Sequence, residues 1–289
     1  MISPNPELDV PQQWSAQWWA VMGLSKVIDG PVAVIGDVHG QTDKLDIVLR
    51  KLQALPDYRD RWIVFIGDLV DRGADPRGAI ETVLRLQTEH GRTTAISGNH
   101  EFAMAASLKV IDTPSYSDWD KRWLDHYGSE QTFASYGVEF GQLDELRDKL
   151  PSDHRQFLAD LPWCIEHDDY FFVHAGLDPH IPFEVQRSIL RERDFTLNRP
   201  PWLCSKALTH AQTPEDCPFT IISGHVPVPE VRFSHRKILI DTTGGVEGDL
   251  SCVLLPEGRV ITSGHGPSRN SARRPMAPVK EKSGWLGLW

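Results

Sequence analysis

Cysteine pairs, long apolar runs and a basic surplus are all missing from this chain, and each absence removes a class of protein. The four cysteines, Cys164, Cys204, Cys217 and Cys252, lie far apart and form no CxxC pair, which reads as inert thiols in a reducing compartment. No stretch approaches ~18 uninterrupted apolar residues, so no membrane-spanning helix is expected. The N-terminus lacks a basic segment followed by an apolar core, so no secretory signal is expected. A formal net charge of -10 argues against a general nucleic-acid binder. It does not exclude a phosphorylated substrate, because bound metal ions supply local positive charge. The expectation is a soluble, cytoplasmic protein whose 289 residues suit one large domain or two small ones.

Residues 1–12 are polar and carry three prolines, a loose lead-in. Trp14, Trp18, Val21 and Met22 then recur at helical spacing, with Trp19 beside them. Such a stripe is read as packing on the domain's own core, with a membrane surface or a partner as alternatives. We group residues 1–30 as an N-terminal, helical extension. From residue 31 the rhythm becomes strand, loop, helix. The apolar run 31–35 (PVAVI) ends in GDVHG before an amphipathic stretch over 41–55. Residues 61–66 (RWIVFI) end in GDLVDRG before a helix over 77–89, and 93–97 (TTAIS) end in GNHE before a helix over 102–109. Three such units in series predict an α/β domain with parallel strands, whose ligand site lies beyond the strands' carboxyl ends.

Residues 112–162 read as a helical insertion able to cap that site, without chemistry of its own. Further apolar runs at 170–173 and 219–223 end in HAG and GHVPV. Segments 236–241, 250–255 and 259–262 read as strands of a second, mostly antiparallel sheet. The polar, Pro- and Ser-rich stretch over 265–289 lacks the apolar periodicity of a packed element and reads as a flexible tail.

The polar clusters carry the chemistry. Asp37 and His39 follow the first strand, Asp68 the second and Asn99 with His100 the third, while His174 and His225 each end a later strand. Carboxylates, an amide oxygen and imidazoles form a mixed nitrogen and oxygen donor set, suited to Mn, Fe or Zn more than to Ca. A carboxylate has two oxygens and can bridge two ions. Such a pair, ~3.5–4 Å apart, clamps an ester oxygen and generates a hydroxide nucleophile at neutral pH. Gly36, Gly67, Gly98 and Gly224 each precede a ligand candidate, where the backbone must turn sharply or approach closely. Five consecutive strand ends delivering Asp, Asn or His at one relative place is a pattern that coincidence does not explain.

These motifs, GDVHG, GDLVDRG, GNHE, VHAG and GH, resemble those of the metallophosphoesterase superfamily, in particular its phosphoprotein-phosphatase branch and bacterial, lambda-phosphatase-like serine/threonine phosphatases. The resemblance spans about residues 31–264. It implies a calcineurin-like four-layer αββα sandwich with a helical insertion, and two divalent ions, Mn foremost. It assigns the first ion to Asp37, His39 and Asp68, and the second to Asp68, Asn99, His174 and His225. His100 becomes the general acid oriented by Asp71, and Arg72 with Asn99 contacts phosphate oxygens, where a planar guanidinium suits bidentate contact. The implied reaction is direct attack of a metal-activated hydroxide, without a phosphoenzyme. A second phosphate-binding arginine is expected downstream of HAG. Arg191 fits best, with Arg193 as the neighbouring choice and a surface charge cluster as the competing reading. Val226 stands where many relatives have Thr.

The expected substrate is a phosphorylated protein or a small phosphoester. The alternative within the superfamily is a dinucleoside polyphosphate hydrolase, a group that tends to lack the acidic residue of DRG and to show GNHD. Asp71 and Glu101 favour the phosphatase branch. A non-catalytic phospho-binding scaffold would have lost a ligand, His100 or Arg72, and all are present. The remaining histidines share no ligand spacing and read as structural. Asp241, in IDTTGG, reads as a loop anchor near the site rather than a metal ligand.

Overall fold

Alternation of apolar residues along short strands sets the layers. The computed structural model describes residues 24–264. It opens with β1 (Val32–Ile35), α1 (Thr42–Gln53), β2 (Trp62–Phe65), α2 (Pro76–His90), β3 (Thr93–Ala95) and α3 (Asn99–Ser107). β1 pairs with β2, and β2 with β3, in parallel, as helical crossovers require. Local chemistry punctuates the helices: the Asp75 carboxylate accepts from Gly78 N at 2.9 Å ahead of α2, and Gly91 at φ 69° ends it. α3 starts at Asn99, three residues before the expected helix, so the GNHE residues form its first turn.

The insertion is helical as expected, with α4 (Trp119–His126), α5 (Glu130–Ser135), α6 (Leu143–Lys149) and α7 (Ser152–Asp160). There follow β4 (Cys164–Glu166), β5 (Tyr170–Val173), α8 (Phe183–Glu192) and the short helices α9 (Pro201–Cys204) and α10 (Lys206–His210). The last strands are β6 (Thr220–Ser223), β7 (Arg232–Ser234), β8 (Lys237–Leu239), β9 (Ser251–Leu255) and β10 (Arg259–Thr262).

Two five-stranded mixed sheets result, ordered β10-β9-β1-β2-β3 and β4-β5-β6-β8-β7. This corrects the expected second sheet, because its three segments divide between the two. β8 runs parallel to β6, whereas β9 pairs antiparallel with β1 and carries β10 on its outer edge. The reason is burial: β9 is buried at every residue, and a strand apolar on both faces gains most beside a central strand.

Val32, Val34, Val64 and Ile66 of the first sheet join Ile165, Phe172, Ile222 and Ile238 of the second in one apolar cluster. The alternate residues Ala33, Ile35, Ile63 and Phe65 pack with Leu45, Val48, Ile80 and Val83 of α1 and α2. On the second sheet Phe171 and Val173 lie in the same cluster as Phe183 and Leu190 of α8. Each sheet therefore faces the other on one side and helices on the other, a four-layer αββα sandwich.

Residues 24–30, grouped with the lead-in from sequence, are tied to this body: Ile28 N donates to Glu166 O and Glu166 N to Lys26 O, both at 2.9 Å. The Trp14–Met22 stripe and the 265–289 tail lie outside the described residues. Among the described residues no helix is long and apolar enough to cross a membrane.

A strap over 199–211 is fixed beneath the HAG turn. Ala175 N donates to Trp202 O at 2.8 Å, and the buried Lys237 Nζ donates to Leu208 O and Ala211 O, each at 2.8 Å. Burial lowers Lys237 to about 8 from 10.5. Between those values the unfolded chain binds the proton and the folded chain does not, so stability rises with pH there, and the full cost of the charge is present below pH 8. Lys237→Met strands two carbonyls and is expected to cost roughly 2–4 kcal/mol. Denaturant melts of both proteins should show the wild-type advantage widening from pH 8 to pH 10.

Candidate active site

The candidate residues all stand at carboxyl ends of parallel strands: Asp37 and His39 after β1, Asp68 after β2, Asn99 after β3, His174 after β5 and His225 after β6. The structure brings them together at the seam between the sheets. Asp68 is central, its Oδ2 lying 3.7 Å from His39 Nε2 and 3.3 Å from His174 Nε2. Asn99 Oδ1 lies 3.2 Å from His174 Nε2 and 2.8 Å from His225 Nδ1. Asp37 reaches the other side of this group, where its Oδ2 accepts from His225 N at 2.9 Å.

The imidazoles are aimed by backbone carbonyls. His39 Nδ1 donates to Val70 O at 3.0 Å and His174 Nδ1 to Ile66 O at 2.8 Å, which leaves each Nε2 lone pair for the cluster. Two groups, His39 with Asp68 and His100, and Asp68 with His174 and His225, hold their donor atoms within 4.8 Å of one another. Asp68 belongs to both. Asp37 Oδ1 and His225 Nε2 are buried without a partner. Buried carboxylates and unpaired acceptors at this density are costly unless cations satisfy them, so the residues present fit a pair of metal ions.

Backbone strain concentrates here. Nine described non-glycine residues have positive φ, and His39 (47°), Asp68 (51°), Asp71 (68°), Arg72 (67°) and His225 (70°) are among them. Each costs on the order of 1–3 kcal/mol and persists where its surroundings enforce it. Glu101 supplies much of that enforcement. Its buried carboxylate accepts from Asp68 N (2.8 Å), Leu69 N (2.7 Å), Val70 N (3.1 Å) and Gly98 N (2.9 Å). Gly98 and Gly224 permit the closeness, since a Cβ on them would fall 2.1 Å from Asp68 Oδ1 and 2.0 Å from Asp37 Oδ1.

His100 stands at the cluster's edge, its Nδ1 2.7 Å from Asp71 Oδ2. Asp71 is fully buried, accepting from Trp123 Nε1 at 2.9 Å and from the Thr132 hydroxyl. Tyr127 packs edge-on against His100 at 4.8 Å. All three come from the insertion, which the sequence reading left without chemistry. A Trp and a Thr spaced nine apart carry no motif, so only their contacts reveal them. Arg72 Nη1 and Nη2 donate to His39 Nε2 (2.8 Å) and His100 Nε2 (3.0 Å).

Arg191 is not brought to this cluster. Its guanidinium is engaged by Glu166, with Nη2 2.7 Å from Oε2, and Arg187 shares the same carboxylate. Glu166 pairs across from Phe171, ~10 Å along the strand from His174, so a register of charges on α8 decided its partner. Arg193 donates to Ala159 O and Leu161 O. Besides Arg72, two cations of the strap come within electrostatic reach of the site's surroundings, Arg199 of Tyr127 and Lys206 of His225. Asp241 accepts from Thr243 N at 3.2 Å, as a loop anchor does.

The model of the calcineurin-like phosphoesterase family matches residues 30–268. The chain belongs to that family. A symmetrical bis(5'-nucleosyl)-tetraphosphatase of a Janthinobacterium species is 25% identical over 173 residues, 58% of this chain and 52% of that protein. An asymmetrical bis(5'-nucleosyl)-tetraphosphatase of Anoxybacillus flavithermus is 24% identical over 79% of this chain and 92% of its own length. The chain thus spans about half the length of the symmetrical relative and most of the asymmetrical one. A protein-tyrosine phosphatase of a Shewanella species superposes with a TM-score of 0.55 at 17% identity, over 90% of this chain and 86% of its own. A Saccharomyces cerevisiae serine/threonine phosphatase does so at 0.52 and 17%, over 90% and 92%. At such identities the likeness establishes the fold.

Family members hold a binuclear metal centre, and the electrostatics of this calcineurin-like site suit one. Burial raises Asp37, with Asp241 adding to it. Burial would also raise Asp68, but His174 and His100 outweigh it and hold that carboxylate well below its usual range. Burial lowers His39 and His100 to about 3, and it lowers His225 to about 3 with His174 and Lys206 contributing. Asp71 is pushed up to about 7 by burial, against the hydrogen bonds from Thr132 and Trp123. Glu101→Gln turns one acceptor oxygen into a donor facing backbone N–H groups. It is expected to cost on the order of 3 kcal/mol and to weaken metal binding, read by thermal unfolding and metal titration.

Proposed function

We propose that this calcineurin-like phosphoesterase hydrolyses dinucleoside polyphosphates, cleaving a phosphoanhydride bond at the Asp68 cluster. The observation that carries hydrolysis is the juxtaposition of that cluster with His100, Asp71 and Arg72. Relatives named for both modes of bis(5'-nucleosyl)-tetraphosphate cleavage support the substrate over the phosphoprotein that the motifs first favoured. Asp37, His39 and Asp68 would hold one ion, and Asp68, Asn99, His174 and His225 the other. The donor set suits Mn first, then Fe or Zn. When bound, the ions neutralise phosphate oxygens and lower the pKa of water.

The protein's own groups do the rest. Arg72, released from the two imidazoles, turns its fork to the phosphate oxygens. His100 donates from Nε2 to the departing oxygen, for which it must carry a second proton. Asp71 behind Nδ1 stabilises that imidazolium, and an anionic substrate reverses part of the burial effect that disfavours it. Trp123 and Thr132 fix Asp71, and so the ring's orientation. A second reading, phosphomonoester hydrolysis on a phosphoprotein, is favoured by Asp71 itself and its cage.

Metal-stripped protein is to be assayed with Mn, Mg and Zn on a dinucleoside tetraphosphate, an aryl phosphate and a phosphopeptide. The expected outcome is metal-dependent turnover with the highest kcat/KM on the dinucleotide. A preference for the phosphopeptide would transfer the protein to the second reading. His100→Asn should lower turnover by about 10²–10⁴-fold while metal binding, read by titration, persists. Full turnover on substrates with poor leaving groups would remove His100 from the acid role.

A further inference from the structure

An arginine that grips phosphate has to be held in place without being neutralised, because a carboxylate partner would compete with the ligand. Arg72 meets that condition. Among the described residues its guanidinium bonds to the His39 and His100 imidazoles and makes no ion pair with a carboxylate. What borders the rest of the side chain is backbone. Arg72 N donates to Gly128 O at 2.8 Å. A Cβ on Gly128 would fall 3.2 Å from Arg72 Cγ, and one on Gly245 would fall 3.2 Å from Cδ and 3.4 Å from Nη1. Gly128 belongs to the insertion and Gly245 to the loop between β8 and β9, so two distant segments each present a residue without a side chain to the same arginine. Both glycines have positive φ, 67° and 94°, which disfavours any other residue there.

The Gly245 wall is tied down from the start of α1. Gln41 Nε2 donates to Gly245 O at 2.9 Å and to Val38 O at 3.0 Å, which joins the loop to the turn that carries Asp37 and His39. Three residues on, Lys44 Nζ donates to Val246 O at 2.7 Å and to Gly248 O at 2.6 Å. The base of the loop is closed by its own residues, with Thr242 Oγ1 donating to Asp249 O at 2.7 Å and Gly248 N to Thr243 O at 2.8 Å. A glycine-rich segment has much conformational freedom to lose, and here two side chains take three of its carbonyls. We propose that Gln41 and Lys44 are positioning residues for phosphate binding: by clamping the 242–248 loop they hold Gly245 against Arg72 and set where its guanidinium reaches. This rests on the reading of Arg72 as a phosphate contact. The two α1 residues act through the arginine, so their effect disappears when the arginine is removed.

The test is a double-mutant cycle on inorganic phosphate binding to the full, Mn-loaded chain, followed by calorimetry. Arg72→Ala should weaken phosphate at least about tenfold. Lys44→Met, which keeps the stem and removes the donor, should weaken it about three- to tenfold. Its Mn affinity should stay within about twofold of wild type, and in the Arg72→Ala background its further effect on phosphate should be less than about twofold. Wild-type phosphate affinity in Lys44→Met beside a weakened Arg72→Ala overturns the clamp and leaves the reading of Arg72 standing. An equal loss in both backgrounds, or a parallel loss of Mn affinity, overturns it too, because the lysine would then act on the site as a whole. Wild-type affinity in Arg72→Ala removes Arg72 from phosphate binding, and the clamp with it. If Lys44→Met does not fold, Gly245→Ala takes its place in the same cycle and the same results decide.

Discussion

A single buried carboxylate organises the catalytic end of this molecule. Glu101 takes four backbone N–H groups, three from the loop after β2 and one from the loop after β3. Those loops carry Asp68 and Asn99, so the geometry between the two strand ends passes through one side chain. Burial raises Glu101 to about 7, with Asp68 adding to it and the N–H groups opposing. A charged acceptor makes stronger bonds to these donors than a neutral one. The left-handed backbone of Asp68 is held by this nest, and the Asp68 carboxylate lies within 4 Å of His39, His100 and His174.

The second constraint is the seam between the sheets. Branched and aromatic residues of both sheets form an apolar layer beneath the cluster, and the polar groups lie where that layer ends. His174, from the second sheet, donates to Ile66 O on the first, so the two halves of the metal site are joined by a hydrogen bond across the seam. The fold thereby brings Asp37, His39 and Asp68 from one sheet and the imidazoles of His174 and His225 from the other into a space where neither group alone is well satisfied. That shared deficit is what makes the place suited to cations.

The helical insertion reaches the polar cluster through direct contacts. Trp123 and Thr132 fix Asp71, Tyr127 packs on His100, and Gly128 O accepts from Arg72 N at 2.8 Å. The orientation of the His100 ring is therefore tied to the insertion through Asp71. A family fold with a common metal site acquires its own character from such a segment, since loops and insertions carry specificity on a rigid scaffold.

The strand–loop–helix units and the polar groups at their ends were legible in sequence because each depends on residues within a few positions of one another. A short apolar run followed by GD or GNH states both the strand and what its end presents. Three things were not legible. The division of β8 from β9 and β10 between the sheets depends on which central strand has an open edge, a property of the whole assembly. The cage of Asp71 joins residues 52 and 61 positions apart, and Arg191 is bound by Glu166 from 25 positions away. The sequence by itself determined which chemical groups stand at the strand ends, because strand periodicity and turn residues are local. Only the tertiary structure decided which arginines reach the site and which side chains orient His100, because those partners meet through sheet order and helix packing.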